Sequence, residues 1–113
     1  MSAITTHVLD TARGCPAAGV QVWLHVREGA TWRNVGEGTT DKDGRLRTLL
    51  PDHEPLPPGD YQLVFETGAY FRRVAASHFL PRVVVEFTVA SGEQHYHVPL
   101  LLSPFGYTTY RGS

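Results

Sequence analysis

An all-β sandwich of two sheets, with seven to eight strands and one short helix, is the architecture this chain predicts. Three observations carry that prediction. Apolar and polar residues alternate in short runs, most clearly from Val20 through Val26. Turn residues punctuate those runs at regular spacing, with 11 glycines and 8 prolines in 113 residues. Only Thr67 to Ser77 reads as helical. A small closed barrel is the competing all-β arrangement.

The elements follow in order. Ile4 to Asp10 alternates, with Ile4, Thr6 and Val8 on one face and Thr5, His7 and Leu9 on the other. Gly14 to Gly19 is turn material. Val20, Val22, Leu24 and Val26 then mark a half-buried strand, and Trp32 to Gly38 a weaker one. Asp41-Lys42-Asp43-Gly44 suits a tight turn, because Asp side chains bond nearby backbone and Gly accepts positive φ. Arg45 to Leu49 is short and extended. Pro51 to Gly59 holds four prolines and reads as loop, since proline removes a ladder donor. Tyr61, Leu63 and Phe65 mark the next strand. In the helical segment Thr67 is the candidate N-cap, with Tyr70 and Val74 at i,i+4. Val83, Val85, Phe87 and Val89 form another strand, Ser91-Gly92-Glu93 a hairpin turn, and His95 to Leu102 the strand after it. A turn at Ser103 to Gly106 leads to an extended end, Tyr107 to Tyr110.

Composition bounds the function classes. Ten Lys+Arg against eleven Asp+Glu give a formal net charge of −1. That balance argues against nucleic-acid or anionic-membrane binding, which needs a basic face. A hydrophobic share of 42% with 19% charged residues fits one folded domain over residues 1–113. The lone Cys15 cannot form an internal disulfide. No secretory signal is visible and no run reaches the ~18 apolar residues of a membrane span, so a cytoplasmic setting is expected. A processed precursor would read the same.

One strand says more. In His95 to Leu102 the core phase is Tyr96, Val98, Leu100 and Leu102, yet the opposite phase is His95, His97, Pro99 and Leu101. Strands apolar on both sides are normally covered on both sides. A two-layer sandwich covers one face, which points to a partner subunit over the other. A loop or the short helix folded over that face is the competing cover. Pro99 fits an edge or a bulge better than a ladder interior.

Six histidines could carry proton transfer or bind metal. His25, His53 and His78 read as ordinary surface or loop residues. His7 lies mid-strand, and His95 and His97 share a phase ~7 Å apart. Hydrogen-bonded strand histidines are the plain reading of all three. H-x-H with His7 as third ligand also permits a metal, although no Cys or acidic ligand motif sharpens that pattern. Arg45 follows Gly44 at the turn. Tyr107 and Tyr110 are large side chains close to Ser113, which suggests a packed rather than frayed end.

These residues resemble the transthyretin-like family and, within it, its urate-degrading hydrolases. The resemblance spans essentially the whole chain. It rests on Thr6-His7-Val8-Leu9-Asp10, Gly14-Cys15-Pro16-Ala17, Thr40-Asp41-Lys42-Asp43-Gly44-Arg45, the run His95 to Pro104, and the terminal Tyr110-Arg111-Gly112-Ser113. The last is the most specific, because it separates the hydrolases from the hormone carrier on the same fold. The resemblance implies an eight-stranded transthyretin-like sandwich, a homotetramer with active sites where dimers meet, and a small ureide substrate. The implied reaction is hydrolysis of a ring amide of 5-hydroxyisourate, giving 2-oxo-4-hydroxy-4-carboxy-5-ureidoimidazoline. His7, Arg45, His97 and Ser113 are the implied catalytic residues. Tyr110, Arg111 and Gly112 would contact substrate together with His7 and Arg45, and His95 would support.

Those residue types suit the chemistry. Neutral imidazole can take a proton from water and return it, so His7 and His97 are read as base and orienting or donating partner. Arg45 offers a planar fork of donors to a carbonyl or anionic edge, and Arg111 adds positive potential. Tyr110 and Ser113 supply hydroxyls. The scheme needs no metal and no cofactor. A non-catalytic carrier of a small aromatic ligand is the alternative function.

Overall fold

The computed structural model describes residues 2–91 and 95–113. Its elements in chain order are β1 (Ile4–Asp10), β2 (Cys15–Pro16), β3 (Gln21–Glu28), β4 (Thr31–Thr39), β5 (Arg45–Leu46), β6 (Gly59–Phe65), α1 (Thr67–Arg73), β7 (Val83–Val89), β8 (Tyr96–Ser103) and β9 (Gly106–Thr109). One sheet runs β2-β1-β8-β9, with β5 also paired to β1; the other runs β4-β3-β6-β7. Seven strands have four or more residues, and the two-residue β2 and β5 complete the first sheet.

Alternation explains how the sheets meet. Ile4 and Val8 from β1, Val22 and Leu24 from β3, Leu63 and Phe65 from β6, and Leu100 and Leu102 from β8 are fully buried between the layers. The opposite phase of β3 stays half-buried: Gln21, Trp23 and His25. Burying such side chains at about 25 cal/mol per Å² is what holds the layers together.

Two expectations about connections change. β7 and β8 lie in different sheets, so the chain between them crosses the sandwich and is not a hairpin. Of the turn expected at Ser91-Gly92-Glu93, Gly92 and Glu93 lie outside the described residues. The extended stretch after Gly44 is also shorter than expected, pairing only over Arg45–Leu46.

The helix corrects the expected cap. Thr67 is its first residue; Glu66 holds the cap position without a side-chain capping bond. The Thr67 hydroxyl instead donates to the Leu80 carbonyl at 3.1 Å, tying the helix start to the loop that follows the helix. The helix stops at Arg73 rather than running to Ser77 because Ala75 adopts φ +57°. Ala76 N–H donates to Phe71 O and Ala75 N–H to Arg72 O. That is the double bond pattern of a Schellman stop, with alanine where glycine is usual. At the other end of the core, the Tyr70 hydroxyl donates to buried Asp10 at 2.7 Å, whose other oxygen accepts from Arg13 N–H. Burial, then the bond to Asp10, pushes the Tyr70 phenol above its ordinary range.

Pro99 is not on an edge, as expected of a proline. β8 lies between β1 and β9. The β8–β9 ladder ends at Leu100↔Thr109 and resumes in the same register at His97↔Gly112. Pro99 falls in the gap, where it has no N–H to give. The Thr109 hydroxyl partly compensates by donating to its carbonyl at 2.8 Å. The second face of β8 is therefore covered in part by the chain's own last residues: Pro99 is buried, while His97 and Leu101 remain half-buried.

Candidate active site

The site is assembled by register. In the parallel β1–β8 ladder Thr5 pairs with His97 and His7 with Pro99; in the β1–β5 ladder His7 pairs with Arg45. Registered partners project to the same side of a sheet. Ile4, Val8, Tyr96, Val98 and Leu100 take the core side. Thr5, His7, Arg45 and His97 consequently share the outer face. There a depression of about 260 Å³ is lined by Thr5, Arg45, Arg47, His95, His97 and Ser113.

The turn before Arg45 is built to aim it. Asp41 accepts from Asp43 N–H at 2.8 Å and from Arg45 N–H at 3.0 Å through one carboxylate oxygen. The bond from Arg45, ahead of that from Asp43, holds the Asp41 carboxyl below the usual carboxylate range. Gly44 sits at φ +76°, and a Cβ there would lie 2.3 Å from the Val8 carbonyl oxygen. Only glycine lets this turn close on β1, where Val8 N–H donates to Gly44 O at 2.7 Å.

The histidines divide by partner. The His7 Nε2 is 2.9 Å from the Asp43 carbonyl oxygen. A carbonyl only accepts, so this nitrogen carries the proton and is engaged. His97 is placed differently. Its Nδ1 is 2.8 Å from the Thr5 hydroxyl, and among the described residues its Nε2 has no hydrogen-bond partner. Burial first, then the nearby Arg45, His95 and His7, hold the His97 imidazole below its ordinary range. A group so biased is neutral at pH 7, which a base requires. The same Thr5 hydroxyl is 3.2 Å from His95 Nε2.

The terminal residues split between two faces. Gly112 N–H donates to His97 O at 2.8 Å, and a Cβ on Gly112 would stand 2.7 Å from His97 Cδ2. Glycine is needed there because the chain lies directly against the imidazole. Ser113 borders the depression. Arg111 projects to the other side, its guanidinium 4.3 Å from the Tyr96 ring centroid. Tyr110 and Arg111 border a separate hollow of about 360 Å³ with Phe87, Tyr96 and Val98. Within one chain these two do not line the His97 depression.

The remaining histidines have ordinary surroundings. His25 bonds Gln62, His78 stacks on Phe71, and His53 lies exposed in the proline-rich loop. Among the described residues no three His, Cys, Asp or Glu side chains gather as metal ligands would. Two residues at the depression escaped the sequence reading, Thr5 and Arg47. Arg47 had a signal, since the extended reading from Arg45 to Leu49 puts it in phase with Arg45 two residues earlier. Thr5 had only its place on the His7 phase.

A two-sheet sandwich carrying an imidazole, guanidinium and hydroxyl cleft on the outer face of its larger sheet is the class these features define. The chain belongs to the HIUase/Transthyretin family, whose family model matches residues 4–112. It is 48% identical over 117 residues to the 5-hydroxyisourate hydrolase of Caulobacter vibrioides, covering all of both chains. Among solved structures it is similar to Klebsiella pneumoniae 5-hydroxyisourate hydrolase, with TM-score 0.84 and 39% identity over 99% of this chain and 100% of that one. Sea bream transthyretin in complex with thyroxine matches with TM-score 0.90 and 30% identity, covering 97% of this chain and 94% of that one. No helix among the described residues is long and apolar enough to cross a membrane.

Proposed function

We propose that residues 1–113 form one hydrolase domain that opens 5-hydroxyisourate to 2-oxo-4-hydroxy-4-carboxy-5-ureidoimidazoline in urate degradation. One observation carries this reading. His97, Arg45 and Ser113, from three separate stretches of chain, border one small polar depression beside His7. A carrier of an apolar ligand has no use for that polar set. The hydrolase relatives share more identity with this chain than the sea bream transthyretin does, which supports the same reading.

The chemistry follows from the partners. Nε2 of neutral His97 takes a proton from water as the oxygen adds to the ring carbonyl. The imidazolium returns that proton to the nitrogen as the C–N bond breaks, and the new acid ionises to a carboxylate. Positioned acid–base catalysis of this kind is typically worth about 10²–10⁴ in rate. The Arg45 fork binds the carbonyl and anionic edge of the substrate, with Arg47 beside it. His7, with Nε2–H committed to Asp43, orients Arg45 and the substrate rather than serving as base. The Ser113 hydroxyl supplies a further donor and Gly112 holds the chain end against His97, while Tyr110 and Arg111, beside a separate hollow within one chain, reach substrate only in a cleft completed by another copy. The scheme uses no cofactor.

The working unit in this proposal is a homotetramer with clefts completed where dimers meet. The half-buried outer face of β8 and the open edges of β7 and β9 support it. Purified protein should accelerate the loss of ultraviolet absorbance of freshly generated 5-hydroxyisourate. His97→Gln should remove most of that acceleration without changing assembly. Decay at the buffer rate with the unaltered protein would defeat the proposal.

A further inference from the structure

The Thr5 side chain occupies an unusual position for a strand threonine. It is 3% exposed, on a strand paired on both sides, and its hydroxyl touches two imidazoles, that of His97 in β8 and that of His95 just before it. A hydroxyl has one proton and two lone pairs. Among the described residues its only hydrogen-bond partners are His97 Nδ1 and His95 Nε2. Its single proton therefore goes to one ring and leaves it an acceptor from the other. The two rings must hold complementary tautomers at these nitrogens.

We infer that Thr5 is a positioning residue: its hydroxyl accepts from His97 Nδ1–H and donates to His95 Nε2, leaving His97 Nε2 bare towards the depression. This rests on the proposed hydrolase reading, in which His97 Nε2 is the base. The direction follows from that role, since a base at Nε2 needs the ring proton on Nδ1. His97 is half-buried against Gly112, so water cannot easily replace a lost partner at Nδ1. His95 is exposed, so water satisfies its remaining nitrogen in either tautomer. Threonine suits the task because branching at Cβ stiffens χ1 and holds the hydroxyl in place.

The tests are Thr5→Val, which keeps the shape without the hydroxyl, and Thr5→Ser, which restores the hydroxyl. Thr5→Val should lower kcat at least about tenfold while KM stays within about twofold, since Thr5 acts through His97 and not on bound substrate. Thr5→Ser should recover most of kcat. The decisive readout is the ¹⁵N spectrum of histidine-labelled protein, with the His97 signals assigned by their loss in His97→Gln. The unaltered protein should show the His97 proton on Nδ1, and Thr5→Val should move it towards Nε2. A His97 proton on Nε2 in the unaltered protein, or a tautomer unmoved by Thr5→Val, overturns the inference. If the unaltered protein fails to hydrolyse 5-hydroxyisourate, the functional reading falls, yet the spectra still decide the role of Thr5.

Discussion

His97 is distinguished from the other histidines by what its two nitrogens meet. Nδ1 is anchored, and among the described residues Nε2 is unpartnered, whereas the protonated Nε2 of His7 is bound to a carbonyl. The site therefore carries one imidazole suited to accept a proton and one suited to hold its neighbours. A pH dependence follows. Because burial and Arg45 depress the His97 pKa, the neutral base persists below the ordinary imidazole value of about 6.5. The acidic limb of kcat/KM should fall below that value, and a limb above it would contradict the assignment. Stability carries the same sign. Between the folded pKa and the ordinary one the unfolded chain binds the extra proton, so stability drops as pH falls through that window. Thermal midpoints measured against pH should show a shallower decline in His97→Gln than in the unaltered protein.

Short elements carry most of the precision around these residues. The turn from Asp41 to Arg45 closes on Val8 through a glycine that no side chain can replace without meeting the Val8 carbonyl oxygen. Gly44→Ala should cost at least about 1–2 kcal/mol from the left-handed backbone alone. The close contact adds to that loss, and kcat/KM should fall with it as Arg45 shifts. Urea unfolding and steady-state kinetics on one preparation would check both. At the helix end the sign reverses. Ala75 holds φ +57° in a Schellman stop, so Ala75→Gly should stabilise by about 0.5–1 kcal/mol with activity unchanged. A lower midpoint in that variant would show that the alanine side chain contributes packing the backbone argument omits. Strand alternation was readable along β3 and the core phase of β8. The cap at Thr67 and the place of Pro99 were not. Both depend on what approaches from elsewhere: the Leu80 carbonyl in one case, the returning C-terminal residues in the other.

For the molecule as a whole, the outer face of the larger sheet is where chemistry and proposed assembly coincide. In a single chain the His97 depression is open, and Tyr110 and Arg111 lie beside a different hollow. If dimers meet over that face to complete the cleft, activity per chain should fall in step with dissociation. Serial dilution followed by sedimentation and by turnover would show it, and full activity from an isolated monomer would refute it.

Alternation, turn residues and the types of side chain available for proton transfer are local properties. They told this chain's strands from its loops and marked His7, His95 and His97 as strand histidines, while the grouping of His7, Arg45 and His97 as a site came from the family resemblance. The pairing of Thr5 with His97, residues 92 positions apart, has no such local signature. It exists because β1 and β8 run parallel in one sheet, with a register set by the apolar side chains packed beneath them. That long-range register also decides which imidazole nitrogen faces the depression, and it becomes fixed only when the two layers close on their core.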